Sequence, residues 1–162
     1  MGKQSAALGD SLRKAVAGAA KALTLEIDAE LRKNPSAGGT PVDTGHARAN
    51  WVPSIGQPHS GEVQGDGAHA AGVGQVVGYT LDRGPLFVSN NVPYIQQLNY
   101  GHSKQAPALF VESAVDRALA TIEARYVGKQ ILITQNEFRQ EMGAIGAANL
   151  ASAYNPLGGS DD

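Results

Sequence analysis

The sequence predicts an α+β fold, in which a small antiparallel sheet of about three to four strands is packed by two amphipathic helices. Two long stretches, 3–33 and 109–126, carry apolar residues at the three-to-four-residue spacing of a helix with one apolar face. Short apolar runs bounded by glycine and proline lie between them, which is typical of strands and turns. The 162 residues are enough for one domain with a core and additional arms.

Composition and charge narrow the class of protein. The formal net charge is -2 and only 17% of the residues are charged, unlike a protein that grips nucleic acid by neutralising phosphates. There is no cysteine, which excludes a disulfide framework, a cysteine metal site and a thiol nucleophile. No apolar run approaches the ~20 residues that span a bilayer, and the N-terminus lacks the apolar segment of a secretory signal. We therefore expect a soluble, intracellular protein with no membrane partner.

The first predicted helix, 3–33, has a single apolar stripe. At 1.5 Å per residue it would be roughly 45 Å long, which is long for the N-terminus of a single compact domain. It is either an ordinary core helix or an arm between subunits. The turn-forming segment 34–39 ends it. The stripe consists of Leu8, Leu12, Val16, Ala19, Leu23, Ile27 and Leu31.

A short helix and a long loop are expected next. Asp43 or Thr44 can cap the short helix, because a side-chain oxygen there accepts an otherwise unpaired backbone N–H. Trp51, the only tryptophan, is most simply a core anchor. The polar, glycine-rich segment 54–74 lacks periodicity, so we predict a flexible loop that serves function or assembly.

The sheet is predicted from three short runs. The stretches 75–79 and 85–91 are expected to be strands, joined as a hairpin by the turn at 82–84. A third strand is expected over 51–55. The second amphipathic helix, 109–126, is expected to cover one face of this sheet.

The segment 90–107 is predicted to organise the chain between the sheet and the last helix. Pro93 should stop the strand before it, since proline lacks an N–H donor. One or two helical turns follow, and Gly101 can take a positive φ and let the chain reverse. Pro107 suits the first turn of the helix after it.

The chain divides into a domain, 1–128, and a C-terminal extension, 129–162. Within the extension, we expect a short strand over 131–134 and a weak helix over 137–153. Both should gain order by packing on something else.

The histidines and the nucleophiles form no strong catalytic or metal-binding pattern. His59 and His69, with Asp66, could bind a metal adventitiously, but solvated loop histidines are the simpler interpretation. Ser89, His102 and Asp116 can be drawn as a triad, although a triad is recognised by geometry. The glycine pairs of the loop lack the lysine and the strand–helix setting of a phosphate loop. We predict no catalytic, metal or cofactor site, and no enzyme.

Two segments resemble a known family when taken together. Residues 40–51, TPVDTGHARANW, resemble the T-P-V-D-T-G-x-[AL]-R-x-[SN]-W signature of the tail-completion proteins (neck, minor tail) of long-tailed bacteriophages. Residues 90–111, NNVPYIQQLNYGHSKQAPALFV, resemble the second signature of that family, in which N-N-x-P-Y precedes x-L-N-x-G-x-S-x-Q-A-P and a helix. The resemblance covers roughly residues 5–126, and two motifs in order are more specific than either alone.

The resemblance implies a virion structural protein at the head–tail junction or the top of the tail tube, assembled in the host cytoplasm. It implies a homo-oligomeric ring, sixfold as the first choice and twelvefold as the alternative, with head-to-tail interfaces. The neighbours would be the head connector or stopper and the tail tube proteins. DNA would pass through the lumen without sequence-specific binding, along a near-neutral wall.

The resemblance also suggests roles for nine structural or interface residues. Trp51 would anchor the core. The helix–strand corner would be held by Asp43, Thr44 and Arg48. The turn that meets a neighbour would be shaped by Tyr94, Asn99, Tyr100 and Gly101. Simple packing within one chain is the alternative for each. Two other classes remain open: a phage-encoded hydrolase that uses His102, and a DNA-binding assembly factor. The nine residues are Asp43, Thr44, Arg48, Trp51, Tyr94, Asn99, Tyr100, Gly101 and Pro107.

Overall fold

The computed structural model describes residues 2–127, and within them it confirms the α+β class. The predictions for the extension, including the strand 131–134 and the helix 137–153, lie outside the described residues, and the boundary at 128 stays a prediction. A single π-helical turn, Glu123–Val127, follows the last helix. The elements are α1 (Gly2–Leu31), α2 (His46–Ala49), β1 (Val52–Ile55), α3 (Gly67–Val77), β2 (Leu86–Ser89), α4 (Ile95–Asn99) and α5 (Phe110–Ile122).

The sheet is smaller than predicted, because the described part of the chain contains two strands and not three to four. β1 pairs antiparallel with β2, with Val52 opposite Ser89 and Ile55 opposite Leu86. The strand expected over 51–55 is therefore confirmed. The prediction that 75–79 and 85–91 form a hairpin across the turn at 82–84 is wrong, since the partner of β2 is β1.

Helix α3 replaces both the predicted strand 75–79 and part of the predicted flexible loop 54–74. Its Val76 is fully buried, and Gly72 lies against β1, where the helix and strand backbones meet. Small residues on one side of a helix allow such an approach, and the tertiary contact overrides the strand preference of Val76 and Val77.

The core forms where α1 and α5 pack together beside the sheet. Its buried centre contains Leu31, Trp51, Phe110 and Ala114, and Ile27 packs at its edge. These residues lie on the predicted apolar faces of the two helices, with Trp51 between them at the start of β1. The long-helix predictions are thus confirmed, within a few residues at their ends.

An ion-pair cluster also joins α1 to α5. Arg117 Nε donates to Glu30 Oε2 at 2.8 Å, and its Nη2 donates to the carbonyl of Gly38 at 2.9 Å. Lys33 also contacts Glu30, whose side chain is only 4% exposed. Desolvation opposes the charge of Glu30, but the hydrogen bonds from Arg117 and Lys33 outweigh it and lower the pKa of this carboxyl. The cluster therefore fixes α5 against the end of α1.

Candidate functional site

The two segments that carry the resemblance meet around one surface pocket of about 360 Å³. The backbone N–H of Val42 donates to Gln105 Oε1 at 2.9 Å, and Asn90 Nδ2 donates to the carbonyl of Ala47 at 2.7 Å. Each of these bonds joins the first segment to the second, so residues 63 and 43 positions apart in the chain form one surface. The lining residues are Pro41, Val42, Asp43, Thr44, Gly45, His46, Ala47, Tyr94, Leu98, Ser103 and Gln105.

The short helix α2 lacks the side-chain cap that the sequence predicted. Gly45 occupies the N-cap position of α2 with φ +84°, and no side chain caps the helix there. Thr44 Oγ1 accepts only a long bond, 3.4 Å, from the N–H of His46. The prediction that Asp43 or Thr44 caps α2 is therefore wrong, because the left-handed turn at Gly45 places their side chains at the pocket, where both are exposed.

Arg48 and Trp51 lie away from the pocket lining. Arg48 Nη1 donates to Asn34 Oδ1 at 3.1 Å, which ties α2 to the turn after α1. Trp51 is 6% exposed in the core, and its Nε1 donates to Thr40 Oγ1 at 2.7 Å. Both residues hold the corner between α1, α2 and β1 by contacts within the chain.

Asn99 positions the start of α5, a role that the sequence did not suggest. Its Oδ1 accepts from the N–H of Val111 at 2.9 Å, and its Nδ2 donates to Glu112 Oε2 at 2.9 Å. Leu109, just before the helix, has φ +61°, and its N–H donates to the carbonyl of Asn99. Asn99 thus provides from a distance the cap that an N-terminal residue normally provides. Pro107 precedes the helix, which begins at Phe110 and not at Pro107.

The second segment leaves two tyrosines at the surface. Tyr94 is 40% exposed and lines the pocket, whereas Tyr100 is 66% exposed. Gly101 follows Tyr100 with φ +91°, and a Cβ there would lie 3.2 Å from Ala108 Cβ. Gly101 therefore makes the chain reversal that was predicted for it, and the reversal presents Tyr100 to solvent.

Side-chain amides hold this region together, and sequence reasoning missed them. Asn50 binds residue 63 on both sides: its Oδ1 accepts from the N–H of Val63 at 2.7 Å and its Nδ2 donates to the carbonyl at 3.2 Å. Asn91 Nδ2 donates to the carbonyl of His59 at 2.9 Å. The loop predicted to be flexible is therefore fastened at two points. The three asparagines of the second segment and the single one of the first were the signal available in the sequence.

The polar groups near the pocket do not form a nucleophile and base. His46 Nε2 lies 2.7 Å from Glu62 Oε2, and its Nδ1 faces the amide nitrogen of Asn50 at 3.4 Å, so both ring nitrogens are engaged. Ser89 Oγ donates to the carbonyl of His59 at 3.4 Å and not to an imidazole. Within residues 2–127, no group of three or more His, Asp or Glu side chains could hold a metal ion.

A second polar cluster lies between α1 and α3. His69 Nε2 lies 2.8 Å from Asp28 Oδ2, and Arg32 Nη2 lies 3.3 Å from Asp66 Oδ1. Asp28 is buried, and its Oδ1 finds no hydrogen-bond partner in the described part of the chain. Desolvation by burial raises the pKa of Asp28, and the neighbouring His69 and Arg32 only partly offset it. The cluster holds α3 on α1, and burial at this place destabilises a charged Asp28.

Replacing Asp28 by asparagine should remove a pH dependence of stability. Because the folded-state pKa of Asp28 lies above 3.8, the folded protein keeps a proton that the unfolded chain releases. The free energy of unfolding should therefore fall as pH rises from 3.8 through the raised pKa, by about 1.4 kcal/mol for each pH unit between the unfolded and folded pKa values. Asp28→Asn should gain stability relative to wild type across this window, as measured by urea unfolding at several pH values. A constant difference at all pH values would contradict the raised pKa.

The chain matches no known protein family, no curated protein and no solved structure. Its function is therefore inferred from its own residues and from the resemblance of the two segments around the pocket. Among the helices of residues 2–127, none is long and apolar enough to cross a membrane.

Proposed function

We propose that this chain is a virion structural protein of the neck of a long-tailed bacteriophage, which forms a ring at the head–tail junction or the top of the tail tube. The ring completes the tail, lets DNA pass through its lumen, and contacts the head connector or stopper and the tail tube proteins. Six copies are the first choice and twelve the alternative. The protein is not an enzyme.

The observation that carries the proposal is how the residues of the two segments are used. Asn90 and Gln105 bind backbone groups across the junction between the segments, Asn99 binds the backbone at the start of α5, and Asn50 binds the backbone of the intervening loop. These side chains bind backbone groups and thereby build a surface. A subunit whose signature residues shape an exposed corner suits assembly better than catalysis.

The exposed tyrosines indicate which surface meets a neighbour. Tyr94 and Tyr100 lie at the two ends of α4, both are exposed, and Tyr94 lines the pocket. Tyrosine is enriched where proteins bind one another. In a closed ring one patch meets a different patch on the next subunit, so this corner is one of two faces. The net charge of -2 supports a lumen along which DNA slides.

Immunogold labelling of virions of the encoding phage tests the proposal. Label confined to the head–tail junction is the expected result, on intact particles or, if the epitope is buried, on particles disrupted to expose the neck. Antibody absorbed beforehand with the purified protein is the matched control. Absence of label from both kinds of particle would contradict the virion role.

Two further measurements address the rival functions. A hydrolase that uses His102 should lose activity in His102→Ala while it still assembles, whereas the proposed protein has no activity to lose. A DNA-binding assembly factor should bind duplex DNA with a steep dependence on salt concentration. We expect no such binding, because neutralising phosphates requires a surplus of basic residues that this chain lacks.

A further inference from the structure

The first half of α1 is a helix without a partner in the described part of the chain. From residue 6 to Val16 its residues are exposed or half-buried, and the first buried position is Ala17. Its apolar stripe is nevertheless present, with Leu12 55% exposed and Val16 47% exposed. We call residues 6–16 the arm; at 1.5 Å per residue it is about 16 Å long. An amphipathic helix with this much exposed apolar surface is typical of a binding element.

The same domain carries an open apolar groove of about 220 Å³. Its floor and walls come from the second half of α1, from β2 and from α5, with Trp51 at its base. Apart from Thr24 every lining residue is apolar, and the groove therefore suits the apolar face of a helix. It is lined by Thr24, Ile27, Leu31, Trp51, Leu86, Phe87, Val88, Val111 and Val115.

The arm cannot occupy the groove of its own chain. Both belong to the single uninterrupted helix Gly2–Leu31, and the groove is lined by Thr24, Ile27 and Leu31 of that helix. Bringing Leu12 to Ile27 within one molecule would require the helix to fold back on itself. An arm that fills this groove must come from another molecule.

We propose that the arm of one subunit docks in the groove of a second copy of this chain. The charges beside the groove and on the arm support a second copy as the occupant of the groove. On α5, Glu112 and Asp116 each directly follow a valine of the groove and are exposed. On the arm, Arg13 directly follows Leu12, and Arg13 and Lys14 are both exposed. The arm has one acidic residue, Asp10, against these two basic ones, so its net charge is +1, opposite in sign to Glu112 and Asp116 beside the groove. This complementarity favours a second copy as the partner.

Arm and groove are different surfaces of the same subunit, so in the proposed ring the interface is head-to-tail. Each copy gives one arm and receives one, so the contacts pass from subunit to subunit and form a ring where the rotation between neighbours closes. The inference rests on the proposed function for its setting, a closed assembly of identical subunits. It supplies a specific contact for that assembly.

Sedimentation velocity on the full chain and its variants tests the docking. Leu12→Glu should weaken self-association at least tenfold, because it places a charge in an apolar groove. Ala7→Glu introduces the same charge about 140° around the helix and should associate like wild type. A wild-type protein that stays monomeric at all concentrations, or a Leu12→Glu variant that associates normally, would overturn the proposal.

Mixing two defective variants tests the head-to-tail geometry. Val115→Lys should block the groove while the arm stays intact. If circular dichroism shows that this variant is unfolded, Asp116→Lys, at an exposed position beside the groove, replaces it. At a concentration at which wild type is only partly associated, each groove variant and Leu12→Glu should be mainly monomeric when alone. Mixed one to one, they should form dimers and no larger species, since one intact arm then meets one intact groove. A mixture that stays monomeric would refute the geometry.

Charge reversal gives a second, independent check. Arg13→Glu and Asp116→Arg should each weaken association several-fold, and the two changes combined in one chain should restore part of the loss. Failure of the combination to recover any association would contradict the facing charges. Association that persists while virions carry no label would leave this inference standing and remove only the proposed virion role.

Discussion

Gly72→Ala should destabilise the protein by about 3 kcal/mol or more, the upper end of the range for overpacked cores. A Cβ at this position would lie 2.1 Å from the carbonyl oxygen of Pro53 and 3.1 Å from its carbonyl carbon. Both are backbone atoms of β1, so neither can rotate away. Relief requires α3 to move off the strand, which would uncover Val76. Urea unfolding monitored by the fluorescence of Trp51, the single tryptophan, measures the change.

Gly74→Ala is the matched control for this substitution, two positions along the same helix. No atom lies within 4 Å of a Cβ there, so the added methyl group meets open space. The change should stabilise the protein by about 0.5–1 kcal/mol, because alanine loses less conformational freedom in a helix than glycine. Equal effects of the two substitutions, in either direction, would show that α3 does not pack on β1 through Gly72.

The contrast between these glycines explains why α3 was not predicted. Gly72 and Gly74 look alike in the sequence. There they were considered only as part of a phosphate-binding loop, for which the required lysine and the strand–helix setting are missing. What makes 67–77 a helix is contact: Gly72 admits the strand backbone and Val76 becomes fully buried. Neither effect has a local signature, whereas the adjacent valines favour a strand on local preference.

The long helices were predictable for the opposite reason. Their apolar residues recur every three or four positions, and that period follows from helix geometry alone. Leu31 and Phe110 lie on those stripes and meet in the core. The pairing of β1 with β2 was not predictable, since it joins strands that are more than thirty residues apart and depends on how the intervening α3 packs.

The sequence predicted where the candidate site lies better than it predicted which side-chain contacts build it. The resemblance marked both segments, and the pocket between them includes Asp43, Thr44 and Tyr94. The two segments are held together by amide side chains, those of Asn90 and Gln105. An amide binds whichever backbone group lies near it, so its partner follows only from the folded chain.

Trp51→Ala should lower the free energy of unfolding by about 3–5 kcal/mol, the usual loss when a large aromatic is removed from a core. Trp51 is 6% exposed, packs with Leu31 and Phe110, and forms the base of the groove. Its removal opens a cavity where α1, α5 and β1 meet. Circular dichroism during urea unfolding is the appropriate measurement, because the variant has lost its only tryptophan.

Part of the stability that Trp51 provides comes from a hydrogen-bond relay, and this part can be measured separately from the packing of the ring. Trp51 Nε1 donates to Thr40 Oγ1 at 2.7 Å, and Thr40 Oγ1 donates to the carbonyl of Leu31 at 2.7 Å, near the end of α1. Thr40→Val should cost about 1–3 kcal/mol, mainly because it leaves the buried indole N–H without an acceptor. In Trp51→Phe that donor is already absent, so Thr40→Val should then cost about 1 kcal/mol less. Strict additivity of the two changes would show that Trp51 stabilises the core by packing alone, and that the relay to the end of α1 contributes nothing measurable.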